Sequence, residues 1–176
     1  MAYSGLFGAA ALLLPVLFHL FHLGRIFMPM YLPLVALAFF VRPLPAMVTA
    51  FVTPLLSGAV TGMPPFYPPV AVFMAIELSL MGGLIAAAHG RWPHLREWIV
   101  LVPVLILGRA LYVGLVYIFS SIVALPAGFM AGVSFFAGWP GIVLMIVAVP
   151  VIARTGRTHR HPSTRVEKGN RHEPER

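Results

Sequence analysis

The chain has 176 residues, 60% of them hydrophobic and only 10% charged, with a formal net charge of +7. That leaves too little polar surface to cover a soluble domain of this size, and points to one membrane-embedded unit. There is no cysteine, which excludes a disulfide framework and thiolate chemistry. The single lysine, Lys168, stands outside any G-x-x-x-x-G-K-[ST] pattern, which excludes a phosphate-cradling P-loop.

Apolar segments follow one another at about residues 5–23, 27–41, 44–61, 70–88, 98–125 and 133–153, divided by polar or Pro/Gly-rich breaks. The first has no basic residue ahead of Arg25 and no polar sequence following it, so it reads as a retained span and not as a cleaved signal. Gly5 and Ala9 place small residues four apart on it and permit close approach of another helix. His19 and His22, at i, i+3, share one of its faces. A metal site needs three or four ligands, and no Cys, Asp or Glu stands nearby, so no metal is expected and His22 reads as an interfacial or pocket-lining imidazole.

The second segment is interrupted by Pro29 and Pro33, which shorten its regular part and leave a count of five spans open. The third carries Gly58 and Gly62 at the same small-residue spacing. It runs into Gly62-Met-Pro-Pro-Phe-Tyr-Pro-Pro69, eight residues with four prolines and no charge. Between the fifth and sixth segments lies Pro126-Ala-Gly-Phe-Met-Ala-Gly132, equally apolar. A connection made only to be solvated is polar, so these two read as segments folded over a cavity or against lipid headgroups. Pro15, Pro54, Pro103, Pro140 and Pro150 fall inside spans, where they kink helices and free carbonyls, a pattern compatible with an internal cavity.

A hydrocarbon core of ~30 Å needs about 20 apolar residues per helical crossing. Residues 43–90 hold one charged side chain, Glu77, and residues 110–153 hold none, so each stretch accommodates two crossings. Placing both termini in the cytoplasm keeps Arg42, Arg91, Arg96 and the seven basic residues of the tail inside, ten of the 12 Lys and Arg. The expected fold is an all-α membrane protein. It is a six-helix transmembrane bundle over residues 1–153 with cytoplasmic termini, followed by a basic, aperiodic tail at 154–176 that favours anionic lipid and not nucleic acid.

Glu77 and Arg109 are the ionisable acid and base sunk deep in these segments. An isolated charge there costs at least ~2.5 to 3.5 kcal/mol on insertion scales, so both are expected to face inward. Counted along ideal helices, Glu77 lies about 10 Å from one end of its span and Arg109 about 17 Å from the opposite end of the next, which brings their depths together. Two readings stay open at this point: a buried ion pair fixing the two helices, or a site for a charged or zwitterionic ligand. In the second reading Arg109 pairs with a carboxylate, while Glu77 orients Arg109 or accepts a ligand N–H or O–H. Tyr31, Tyr67, Tyr112, Tyr117 and Trp139 are aromatic side chains suited to stacking on a planar ligand, and aromatics are also enriched at any membrane interface.

Taken in order, Phe27-Met-Pro-Met-Tyr-Leu-Pro33, Thr53-Pro-Leu-Leu-Ser57, Thr61-Gly-Met-Pro-Pro65, Glu77-Leu78, Gly108-Arg109 and Gly138-Trp-Pro-Gly141 resemble the substrate-binding S components of energy-coupling factor (ECF) transporters. The resemblance is to the subgroup with a Pro-Met-His-x-Pro stretch and a Thr-Gly-Met-Pro-Pro loop, and it runs from about residue 14 to 153. It implies a six-helix bundle, not an enzyme, that captures a vitamin or related micronutrient on its outer side. It also implies a transmembrane T component, docked partly through a small-residue face on the first helix (here Gly5 and Ala9), and two cytoplasmic ATPase subunits that hydrolyse ATP. No cofactor is expected in this chain. Glu77, Arg109, Tyr31, Tyr112, His22, Met63, Pro64 and Trp139 are the expected substrate contacts, with residues 61–65 as an outer lid.

Two positions depart from that pattern. Tyr31 stands where the subgroup has His, and Arg42-Pro-Leu-Pro45 replaces its Gly-Pro and following glycines, so substrate identity transfers less well than fold. Two other classes of function remain: an intramembrane enzyme using Glu77 with His19 and His22, which lacks a nucleophile constellation or an H-E-x-x-H pattern, and a ligand-free structural or regulatory membrane subunit.

Overall fold

A computed structural model describes residues 2–20, 29–123 and 139–158. Among the described residues the chain is all helix: α1 (Ala2–Leu20), α2 (Tyr31–Leu37), α3 (Pro43–Thr61), α4 (Val70–Arg91), α5 (Glu97–Val123) and α6 (Trp139–Thr158). Three of them, α3, α4 and α5, are long and apolar enough to cross a membrane. Shorter apolar stretches occupy Ala2–Phe18 of α1 and Gly141–Thr155 of α6. This is a helical membrane protein.

Local chemistry places the helix ends. Pro43 opens α3 in the first helical position, where its missing N–H loses nothing, behind Arg42 in extended backbone. Gly62 closes α3 at φ +73°, a left-handed conformation that suits glycine, and its N–H donates to the Gly58 carbonyl. Four of the five prolines expected inside spans are there: Pro15 in α1, Pro54 in α3, Pro103 in α5 and Pro150 in α6, whereas Pro140 is the second residue of α6, at its start and not within it.

The second segment departs most from expectation. Its regular part is only seven residues, about 10 Å of rise, far less than a crossing. Tyr31, Pro33, Leu34, Val35, Ala36 and Leu37 are all buried, and α2 packs on α1, α3, α4 and α6. The apolar run at 29–41 thus reflects a place inside the bundle more than a wall facing lipid.

Small residues let α3 and α4 approach closely. Ala46, Ala50, Thr53 and Ser57 form the buried stripe of α3, and Ala71, Ala75, Leu78, Gly82 and Ile85 that of α4. A Cβ on Gly82 would lie 3.5 Å from the Ala46 carbonyl oxygen, and one on Gly83 would lie 2.7 Å from Met47 Cγ. The glycines at 58 and 62 serve otherwise than read from spacing. A Cβ on Gly58 would stand 2.7 Å from the Pro64 carbonyl oxygen, so this glycine admits the connecting turn and not another helix. Gly58→Ala is therefore expected to lower stability by about 1 to 3 kcal/mol, checked by reversible unfolding in mixed detergent.

The chain direction gathers the described cations other than Arg109 at one end. Arg42 precedes α3, Arg91 ends α4, Arg96 precedes α5, and Arg154 near the end of α6 reaches back to the start of α5. There its Nε lies 3.4 Å from Oε2 of the buried Glu97. Phe40 stacks on Tyr3 and Phe7, which brings the start of α1 to that same end. Helix α6 continues through Arg154, beyond the boundary expected at 153.

Candidate functional site

Opposite the basic end, the Gly62–Pro69 connection is tied back to the helices it joins. Ser57 Oγ donates to the Met63 carbonyl at 2.7 Å, Thr61 Oγ1 donates to the Ser57 carbonyl at 2.8 Å, and the Met63 N–H donates to Thr61 Oγ1 at 3.2 Å. The Ala71 N–H then donates to the Pro65 carbonyl at 3.0 Å, fastening the turn to α4. Met63, Phe66 and Tyr67 nevertheless stay exposed. Met63 and Pro64 thus sit in a braced apolar turn, about 10 Å along α4 from Glu77 by helical rise.

Within the bundle, three helices bring polar side chains to one place. Tyr31 at the start of α2 donates its hydroxyl to Oε2 of Glu77 on α4, and both are buried. Beside them α4 and α5 cross tightly at Gly108. A Cβ there would lie 2.3 Å from Met81 Sδ, 2.7 Å from Met81 Cγ and 3.5 Å from Glu77 Cγ. The next residue on α5 is Arg109, which is 7% exposed, with its guanidinium carbon 5.3 Å from the ring centre of Tyr112. Arg109 stands within electrostatic reach of both Tyr31 and Glu77.

The hydrogen bonding is uneven. Glu77 is held through Oε2 by Tyr31, and it makes no salt bridge of 4 Å or less with Arg109. Arg109 Nε and Nη2 are buried and have no hydrogen-bond partner among the described residues. Leaving such donors unmade is expensive, and a membrane-embedded chain has no bulk water to supply the bond. Ser120 Oγ, eleven residues further along α5 and on the same face as Arg109, is likewise buried without a partner among the described residues.

Of the expected contacts, Glu77, Arg109, Tyr31 and Tyr112 meet in this cluster. Tyr67 and Tyr117 do not belong to it: both are more than half exposed. His22 and the side chains of His19 and Trp139 lie outside the described residues. Gly5 and Ala9 are both exposed on α1, and a Cβ on Gly5 would meet nothing within 4 Å. A shallow apolar groove of about 250 Å³ in the first turns of α5, lined by Trp98, Ile99, Val102 and Pro103, includes none of the cluster.

Reading by residue type missed Met81 and Ser120, and it singled out Ser57 and Thr61 without the bonds by which they tie the turn. Met81 fills the notch left by Gly108, Ser120 continues the polar face of α5, and Ser57 with Thr61 holds the turn. Position 120 was accessible in principle, because a step of eleven residues returns to the same side of a helix. No known protein family, curated protein or solved structure matches this chain.

Proposed function

We propose that this chain is the substrate-capture (S) subunit of an ECF-type importer. It binds a vitamin-like micronutrient from the outer side of the plasma membrane and releases it inward with a transmembrane T component and two ATPase subunits. The observation that carries the reading is the Tyr31, Glu77, Arg109 and Tyr112 cluster, with two buried Arg109 donors left unmatched. A purely structural pair would be expected to satisfy itself; a site for a ligand keeps donors in reserve. Cations gathered at one end of the bundle favour cytoplasmic termini and a multi-pass arrangement in which α1, α2 and α6 complete the six-segment bundle. On that orientation the braced Thr61–Pro65 turn lies outside as a lid, and the exposed small residues Gly5 and Ala9 offer α1 to the T component.

The test is to purify the full chain in detergent, identify any small molecule that travels with it by mass spectrometry, and measure uptake of that molecule by cells carrying the chain with its transport partners. A co-purifying water-soluble compound whose uptake depends on this chain is the expected result. Protein that emerges empty and supports no uptake would overturn the reading.

A further inference from the structure

The two unmatched donors of Arg109 have a geometry that narrows the ligand. Nε and Nη2 lie along one edge of the guanidinium plane, and their N–H bonds point the same way. That edge is the planar fork that receives two oxygens of one carboxylate in parallel hydrogen bonds. The edge is buried, and Tyr112 lies against the guanidinium, so the fork is held in place before any ligand arrives. Across the α4–α5 crossing, Tyr31 occupies only Oε2 of Glu77, and Oε1 makes no hydrogen bond among the described residues. The site thus offers a pair of cationic donors on α5 and a carboxyl oxygen as acceptor on the neighbouring α4.

We propose that the ligand is a small organic acid that also carries an N–H or O–H donor. Its carboxylate docks side-on to Nε and Nη2 of Arg109, and its donor points to Glu77 Oε1. This rests on the capture reading above and specifies the substrate class for that same site. An amino acid, a hydroxy acid or a heteroaromatic acid with a ring N–H satisfies both ends. A neutral or purely cationic molecule leaves the fork unmatched.

The experiment screens the purified full-length protein in dodecyl maltoside, a detergent without phosphate. The readout is the shift in unfolding temperature produced by a panel of free amino, hydroxy and heteroaromatic acids and by the methyl ester of each. The expected result is a shift from at least one acid, none from its ester, and at least tenfold weaker affinity in Arg109→Gln, as loss of hydrogen bonds to a charged group implies. Arg109→Lys keeps the charge but not the fork and should fall between the two. The acid-against-ester comparison is made on the wild-type protein, so it holds even if a variant folds poorly. An added short-chain phosphatidylglycerol tests a lipid phosphate as the occupant, and an Arg109-dependent shift from that lipid alone would overturn the proposal. Equal binding of acid and ester, or binding unaffected by Arg109→Gln, would overturn it while leaving substrate capture standing. A panel in which nothing binds would bring down both.

Discussion

Tyr31→Phe is expected to destabilise the folded protein by about 2 kcal/mol, and Glu77→Gln by less than about 1 kcal/mol. The asymmetry follows from what each change leaves behind. Phenylalanine removes the one hydrogen bond made to the buried Glu77 carboxyl group among the described residues and gives it nothing in return. Glutamine keeps a carbonyl oxygen where Oε2 was, so the Tyr31 hydroxyl still has an acceptor. Unfolding by graded denaturing detergent would measure both, and a separate cycle of Tyr31→Phe with Glu77→Leu, which removes the acceptor altogether, isolates the contact. A coupling of about 1 to 3 kcal/mol between the two positions is the expected outcome. Coupling below about 0.5 kcal/mol would mean that the contact contributes nothing to holding α2 against α4.

The second large effect belongs to the α4–α5 crossing. Gly108→Val should cost about 3 kcal/mol, at the upper end for overpacking, because the first added carbon alone would stand 2.3 Å from Met81 Sδ. Methionine is flexible, but Met81 is 2% exposed and enclosed by the core, so its thioether has little room to retreat. Gly108→Ala should be milder. Combining it with Met81→Ala should recover most of its cost, since the second change vacates the space the first one needs. Additive losses in the double variant would show that the collision is not what limits the crossing. The same wedge shifts Glu77 and Arg109 relative to one another, so under the proposed capture function ligand affinity should fall along with stability.

Much of the architecture was legible from hydrophobic runs and their interruptions. The run expected at 70–88 begins at Val70 as helix α4 does, and Pro43 and Gly62 mark the limits of α3 as start and stop residues. The segment at 27–41 was harder, because a helix enclosed by other helices and a helix facing lipid are equally apolar. Composition does not separate them; only the neighbours do. Glu77 and Arg109 stood out as charges in long apolar stretches, and burial follows from the same solvation cost that made them conspicuous. What a linear reading lacked was pairing. The hydroxyl that reaches Glu77 comes from 46 residues away, and no local spacing encodes that. The direct Glu77–Arg109 ion pair, one of the two readings open from sequence, is not the bond the structure makes. Glycine spacing misled for a related reason: a missing side chain advertises that something comes close, not whether it is a helix, a turn or a methionine.

Helix α2 has a consequence for how the protein is put together. A seven-residue helix has almost no tendency to persist alone, since nucleation consumes most of what so few internal hydrogen bonds return. The long apolar helices can enter the bilayer individually, whereas α2 takes shape only once its surroundings exist to receive it. Tyr31 is therefore expected to be seated late in biogenesis, after the carboxyl group it will hold. A damaged variant would then keep nearly all of its far-ultraviolet helical signal while failing to assemble the one place where α2, α4 and α5 meet.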